Sequence, residues 1–151
     1  MDITYDLLVA EQYQTVCNLI EFYLSAPFKM TSEQNRRIAI VNLALSHKWS
    51  DNEDACKNVL ERYDWSAVSD DFLLAHAVLR DDFAYARTIM RRIGNSGVVS
   101  KSNYNEWPLF KKFRETSDFS IEYSSIFGPE VELSEKSSGD DSAPEGEGET
   151  I

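Results

Sequence analysis

Two histidines and two cysteines are the residues with which this sequence could bind a metal ion or build a nucleophilic site. His47 has a carboxylate four residues later, Asp51, but that residue falls in a turn cluster where helix capping accounts for it. His76 is followed at the third and fourth positions by leucine and arginine, neither of which binds zinc. Because zinc needs three or four converging ligands, the sequence predicts no metal site and no cofactor. We expect Cys17 and Cys56 to be buried thiols, since each lies among apolar neighbours.

Paired carboxylates are the next candidates for acid–base chemistry. Asp70-Asp71 and Asp81-Asp82 both come just before a predicted helix, where a carboxylate stabilises the unpaired amides and the positive end of the dipole. No glycine-rich nucleotide loop and no serine nucleophile elbow occurs in the sequence. We therefore predict a protein that is not an enzyme. A helical enzyme whose site has no sequence signature is the alternative.

Clustered basic residues form a candidate docking surface. Arg87 and Arg91 are four residues apart and lie on one side of a predicted helix, and a second cluster consists of Lys111, Lys112 and Arg114. Arginine forks suit carboxylates, so these residues could bind an acidic peptide or the acidic end of this chain. The alternative is that both clusters are solvated helix faces.

Three tryptophans, Trp49, Trp65 and Trp107, fall at or near the ends of predicted helices. Each could cover the core at a helix junction. Alternatively, one of them could anchor a partner, as tryptophan often does at protein interfaces. Trp107 is the tryptophan that we include among the candidate partner-binding residues.

The charge of the chain is concentrated at its end. The 151 residues carry a formal net charge of −11, and residues 129–151 hold eight acidic residues and one lysine. That segment has no aromatic residue and cannot bury enough apolar area to offset the entropy of ordering, so we expect a disordered acidic tail after a helical domain of residues 1–128. Excess negative charge argues against direct binding to nucleic acid. The first residues lack a secretory signal and no apolar run reaches the length of a membrane span, so we expect a cytoplasmic protein.

The apolar spacing indicates an all-α domain. Apolar residues recur at three- and four-residue intervals, and no hairpin turn separates alternating runs. Two predicted helical hairpins pair residues 34–48 with 52–64 and residues 69–80 with 82–93. Residues 2–25 form either one long helix or a hairpin broken near residues 11–13, and two short helices follow at residues 104–114 and 119–127. We predict antiparallel hairpins packed as a short α-solenoid or a compact bundle.

The two predicted hairpins share a period in the low thirties. Ala55 and Ala86 are 31 residues apart near the start of each second helix, and Leu60 and Met90 follow 30 residues apart. The segment from Leu74 to Ala86 resembles the central part of a tetratricopeptide repeat, one residue short in its turn, with Ala86 at the small position of the second helix. The usual tryptophan and glycine of the first helix and the proline at the end are absent.

The C-terminal stretch adds to this resemblance. Trp107-Pro108-Leu109-Phe110, then Arg114 and Phe119, is similar to the element that often closes bacterial helical-repeat arrays. The resemblance implies a helical-hairpin fold that serves protein recognition. We therefore predict a non-enzymatic protein–protein interaction module, an adaptor or regulator, with a protein partner that the sequence does not identify. The alternative is an acidic inhibitor or immunity-type protein that blocks a nucleic-acid-acting enzyme by charge mimicry.

Overall fold

The structure, a computed structural model, describes residues 3–25 and 32–128, and within these ranges the protein is helical without a strand. The predicted disordered tail, residues 129–151, lies outside the described residues. No helix in the described part of the chain is long and apolar enough to span a membrane. The helices are α1 (Ile3–Val9), α2 (Tyr13–Ser25), α3 (Glu33–Trp49), α4 (Glu53–Glu61), α5 (Asp70–Leu79), α6 (Phe83–Ile93), α7 (Lys101–Glu106), a 3₁₀ turn (Pro108–Phe110), α8 (Lys111–Arg114) and α9 (Ser117–Phe127).

Consecutive helices pack as hairpins. Helix α3 packs on α4 and α5 packs on α6, which confirms the two predicted pairs. The open question about the N-terminal segment is settled in favour of a hairpin, because α1 and α2 are separate helices in contact with each other. Helix α3 also contacts α2 and α5, and α6 contacts α9, so the hairpins stack side by side.

One turn geometry joins all three hairpins. Its central residue is acidic and left-handed, with φ near +60° at Glu11, Asp51 and Asp81. The amide of the following residue donates to the carbonyl five positions earlier, as in a Schellman motif. These bonds run from Gln12 to Leu7 at 2.9 Å, from Asn52 to His47 at 3.0 Å and from Asp82 to Ala77 at 3.0 Å. The chain therefore reverses in the same way three times.

The acidic residues around these turns divide their roles. The side chains of Asn52 and Asp82 cap α4 and α6 by accepting from the amides of Ala55 and Tyr85, each at 3.2 Å. The capping role predicted for Asp81 is wrong, since it occupies the left-handed position and its carboxylate binds lysines. Asp51 also takes the left-handed position while its neighbour caps the helix.

The C-terminal third closes the stack with aromatic side chains. The predicted single helix over residues 104–114 is wrong, because the chain breaks at Trp107 and Pro108. Proline forces the preceding residue into an extended conformation, and Trp107 has φ −67° and ψ 126°. Behind this break, the ring of buried Tyr104 lies 4.9 Å from that of Phe110, and Phe113 meets α9. The break turns Trp107 toward the first helices of the hairpins.

Candidate functional site

The first helices of the three hairpins line an apolar cavity together with α7. Tyr5 of α1, Ile38 of α3 and Phe72 of α5 meet Val98 and Trp107 around a volume of about 240 Å³. We call this surface, with Asp71, the inner groove. Its volume is below the roughly 300 to 1,000 Å³ typical of small-molecule sites, so it suits protruding side chains better than a whole metabolite.

Large apolar side chains of the inner groove are open to solvent. Val98, in the loop before α7, is 77% exposed and Ile38 is 38% exposed, while Trp107 is half-buried. A second cavity begins on the other side of Ile38 and is lined by Leu19 and Tyr23 of α2. The apolar surface therefore continues from α7 across α3 to α2.

Asp71 is the one charged side chain among the described residues that line the inner groove. Its Oδ1 atom is shielded from solvent and has no hydrogen-bond partner in the described structure. The neighbouring Asp70 differs, since it forms a two-pronged ion pair with Arg92, with Nε–Oδ2 at 2.6 Å and Nη2–Oδ1 at 2.5 Å. The negative charge of Asp71 is thus available to a ligand.

The predicted docking arginines are engaged inside the protein. The carboxylate of Glu122, whose side chain is 2% exposed, accepts from Arg91 Nη2 at 2.7 Å and from Arg87 Nε at 3.3 Å. Arg87 Nη1 also binds Asp118 at 3.3 Å. Hydrogen bonds from Arg91, then from Arg87, lower the pKa of Glu122 against the opposing effect of its burial. This network joins α6 to α9.

The second basic cluster is also engaged. Lys112 Nζ lies 2.8 Å from the carboxylate of Asp81, and Lys111 Nζ lies 3.4 Å from that of Glu11. Arg114 Nη1 donates to the carbonyls of Tyr104 at 2.9 Å and Trp107 at 3.1 Å, which satisfies the end of α7. Of the six candidate partner-binding residues, Trp107 alone lines the inner groove.

The other tryptophans follow the core-covering alternative. Trp65 is buried, donates from Nε1 to the Leu60 carbonyl at 2.8 Å and stacks on His76 at 4.8 Å between ring centroids. Burial, and then the charge of Arg80, lowers the pKa of His76, so this ring is neutral at pH 7. Trp49 is half-buried at the end of α3 and lies under the ammonium of Lys111, 5.3 Å from the ring centroid.

A thiol, an imidazole and a carboxylate meet between α2 and α3, which the sequence analysis missed. Cys17 Sγ lies 3.8 Å from His47 Nδ1, and His47 Nε2 lies 3.9 Å from Glu21 Oε1. The four-residue spacing of Cys17 and Glu21 on one helix was the available signal. The pair does not form an activated nucleophile, because Cys17 is 3% exposed and burial, then the charge of Glu21, raises the pKa of the thiol.

Metal-binding groups do not assemble in the described ranges, which contain no set of three or more histidine, cysteine, aspartate or glutamate residues able to hold an ion. Both cysteines are free and buried, as predicted. No family model, curated protein or solved structure matches this chain. The tetratricopeptide resemblance therefore stays a hypothesis from sequence motifs, and the inner groove is the feature from which a function is inferred.

Proposed function

We propose that this chain is a non-enzymatic protein–protein interaction module, an adaptor or regulator of tetratricopeptide-like design, that binds a partner protein in the inner groove. The single observation behind this proposal is an apolar groove lined by the first helix of every hairpin. Such a surface lets an extended or helical segment touch all three hairpins at once. The free thiols support a place in a reducing compartment, the cytoplasm.

Exposed apolar side chains support a binding role because their contact with water is unfavourable. Val98 and Ile38 lie beside the rings of Phe72 and Trp107 around one cavity, rather than scattered singly over the surface. Contiguous apolar patches of this kind mark interaction sites, and half-buried aromatic residues are common anchors within them. A partner segment that covers the patch would remove this apolar area from water.

The distribution of the basic residues supports the groove over the helix faces. Each cation that the sequence suggested for docking an acidic peptide already binds a carboxylate or a carbonyl of the body. An acidic partner would have to displace these contacts before it gained its own. A partner that packs on the inner groove displaces only water.

Site-specific photocrosslinking in cells tests the proposal. A benzoylphenylalanine replaces Val98, and a matched variant carries it at Ile121, which is 52% exposed on α9 and does not line the groove. We expect discrete protein adducts from position 98 that position 121 does not give. The absence of adducts at position 98, or the same adducts at both positions, would refute binding in the groove.

A further inference from the structure

Asp71 places a negative charge in an otherwise uncharged groove. The described lining residues around it are apolar, aromatic or neutral polar, and no lysine or arginine is among them. Asn103 beside it is also occupied, because its Oδ1 accepts from the backbone amide and the hydroxyl of Ser100 in a capping box. Within the described structure, the protein thus offers this carboxylate no positive partner.

An unpaired carboxylate in a partly buried site is costly, since one of its oxygens has lost water without gaining a donor. The residue as a whole is partly exposed and lines the cavity, so its charge can be reached from the groove. Arg92 cannot supply the counter-charge without breaking its two-pronged pair with Asp70. A cation that enters with a ligand would relieve this cost.

We propose that the partner segment carries an arginine or lysine between apolar residues, and that its charged head binds Asp71 while the apolar neighbours pack on the inner groove. This inference rests on the proposed function and names the chemistry of its partner. An arginine head forms the shorter, charge-assisted bonds that a carboxylate accepts. The aromatic rings of Phe72 and Trp107 at the same cavity can pack against its aliphatic stem.

The charge of the whole chain favours the same partner. The net charge of −11 attracts basic segments and speeds their encounter with the groove. An acidic segment meets repulsion from Asp71 and from the chain as a whole. The acidic end of this same chain, residues 129–151 with eight carboxylates, is therefore a poor occupant of the inner groove.

Selection from a random dodecapeptide library displayed on phage identifies the preferred ligand chemistry. The full chain is immobilised as wild type, as Asp71→Asn, as Val98→Asp and as Ile121→Asp, the last being the exposed control outside the groove. We expect wild-type and Ile121→Asp selections to converge on arginine or lysine flanked by apolar residues. We expect Asp71→Asn to keep the apolar preference and to lose the basic one.

Fluorescence anisotropy of the synthetic consensus peptide measures the contact directly. Asp71→Asn is expected to weaken binding by about tenfold or more, and changing the basic residue of the peptide to glutamine should cost the same in wild type but almost nothing in Asp71→Asn. If Asp71→Asn unfolds, a switch of that peptide residue to glutamate in wild type tests the same charge preference. A consensus without a basic residue, or an acidic one, would overturn this inference and leave the proposed function standing, provided Val98→Asp abolishes binding. A consensus peptide that binds Val98→Asp as well as wild type would overturn both.

Discussion

Glu122→Gln is expected to lower the free energy of unfolding at pH 7 by about 1 to 3 kcal/mol. The carboxylate is almost fully buried and holds α6 and α9 together through Arg91 Nη2 at 2.7 Å and Arg87 Nε at 3.3 Å. Glutamine has nearly the same shape, so the substitution removes the charge without opening a cavity. The loss therefore reports the electrostatic part of the network.

The size of this effect follows from the exposure of the three partners. Breaking a fully buried ion pair costs roughly 3 to 5 kcal/mol, because a charge is left in a dry environment. Here the side chains of Arg87 and Arg91 are 30% and 63% exposed, so both cations regain water once the carboxylate is gone. The expected cost is therefore that of charge-assisted hydrogen bonds, about 1 to 3 kcal/mol.

The pH dependence gives the prediction a second, independent check. The pKa of Glu122 is lowered in the folded protein, mainly by its hydrogen bond from Arg91, below the unfolded value of roughly 4.3. A lowered carboxyl pKa stabilises the folded state above the unfolded pKa, and this contribution is lost as the pH falls through the folded pKa. Wild type and Glu122→Gln should therefore differ at pH 7 and converge once the pH lies below both values. Other carboxylates such as Asp118 titrate in both proteins and cancel from the difference.

Urea unfolding followed by circular dichroism at 222 nm, repeated from pH 7 downward, measures both quantities. With an m-value of about 2 kcal/mol per molar urea, a loss of about 2 kcal/mol shifts the midpoint by about 1 M. Glu106→Gln is the control, because Glu106 is exposed at the end of α7 and forms no ion pair within the described residues, so it should leave the midpoint nearly unchanged. Equal midpoints for wild type and Glu122→Gln at pH 7, or a deficit that persists undiminished in acid, would refute the reasoning.

Three further predictions concern packing and thiol reactivity. Ala86→Trp should lower the free energy of unfolding by about 1 to 3 kcal/mol through overpacking, since Ala86 is fully buried, whereas Ala84→Trp on the exposed side of α6 should not; equal thermal melting of the two variants would contradict the hairpin packing. Gly97→Ala should cost about 1 kcal/mol or more in urea unfolding, because a Cβ there would overlap a buried isoleucine of α6 unless that side chain shifts; an unchanged midpoint would show that it moves freely. Cys17 and Cys56 should resist a thiol-specific disulfide reagent at pH 8 in the native protein and react in urea, since both are buried and burial raises the pKa of Cys56 to about 11; rapid native labelling would mean that α2 or α4 opens.

Local signals carried most of the fold prediction. Apolar spacing predicted α3 to α6 as two hairpins, with ends within about two residues, because caps such as Asn52 and Asp82 sit next to the helices that they start. The first hairpin stayed ambiguous because its left-handed turn residue is Glu11 rather than glycine, and a glutamate gives no turn signal. The break at Pro108 was missed because apolar residues continue at helical spacing through it.

The candidate site depended on contacts that sequence spacing cannot reveal. Trp107 was selected by residue type and does line the inner groove, but its partners Tyr5, Ile38 and Phe72 come from three other helices. Asp71 was assigned to helix capping because it starts α5, and only the packing of α7 against that helix shows that it also lines a cavity. Charged side chains were the least predictable, since Arg91 and Glu122 are 31 residues apart in the chain.

Helix α8 explains why the basic residues and the groove take different roles. Its two lysines bind the left-handed carboxylates of two hairpin turns, Lys111 at Glu11 and Lys112 at Asp81. Asp81 also receives Lys48 of α3 at 2.6 Å, and hydrogen bonds from these two lysines lower its pKa although burial opposes them. Each of these exposed pairs contributes little alone, but together they hold the ends of neighbouring hairpins in register.

That allocation of charge has a consequence for binding. The cations of the α6 and α8 faces are bound at the turns and at α9, where they fix the stacking of the hairpins, and none of them lines the groove. Asp71 is therefore left as a negative charge on the one apolar surface that all three hairpins share. Because the same contacts that hold the hairpins in register also shape this surface, a partner that supplies the missing cation gains both a preformed groove and a charge that the fold has left unpaired.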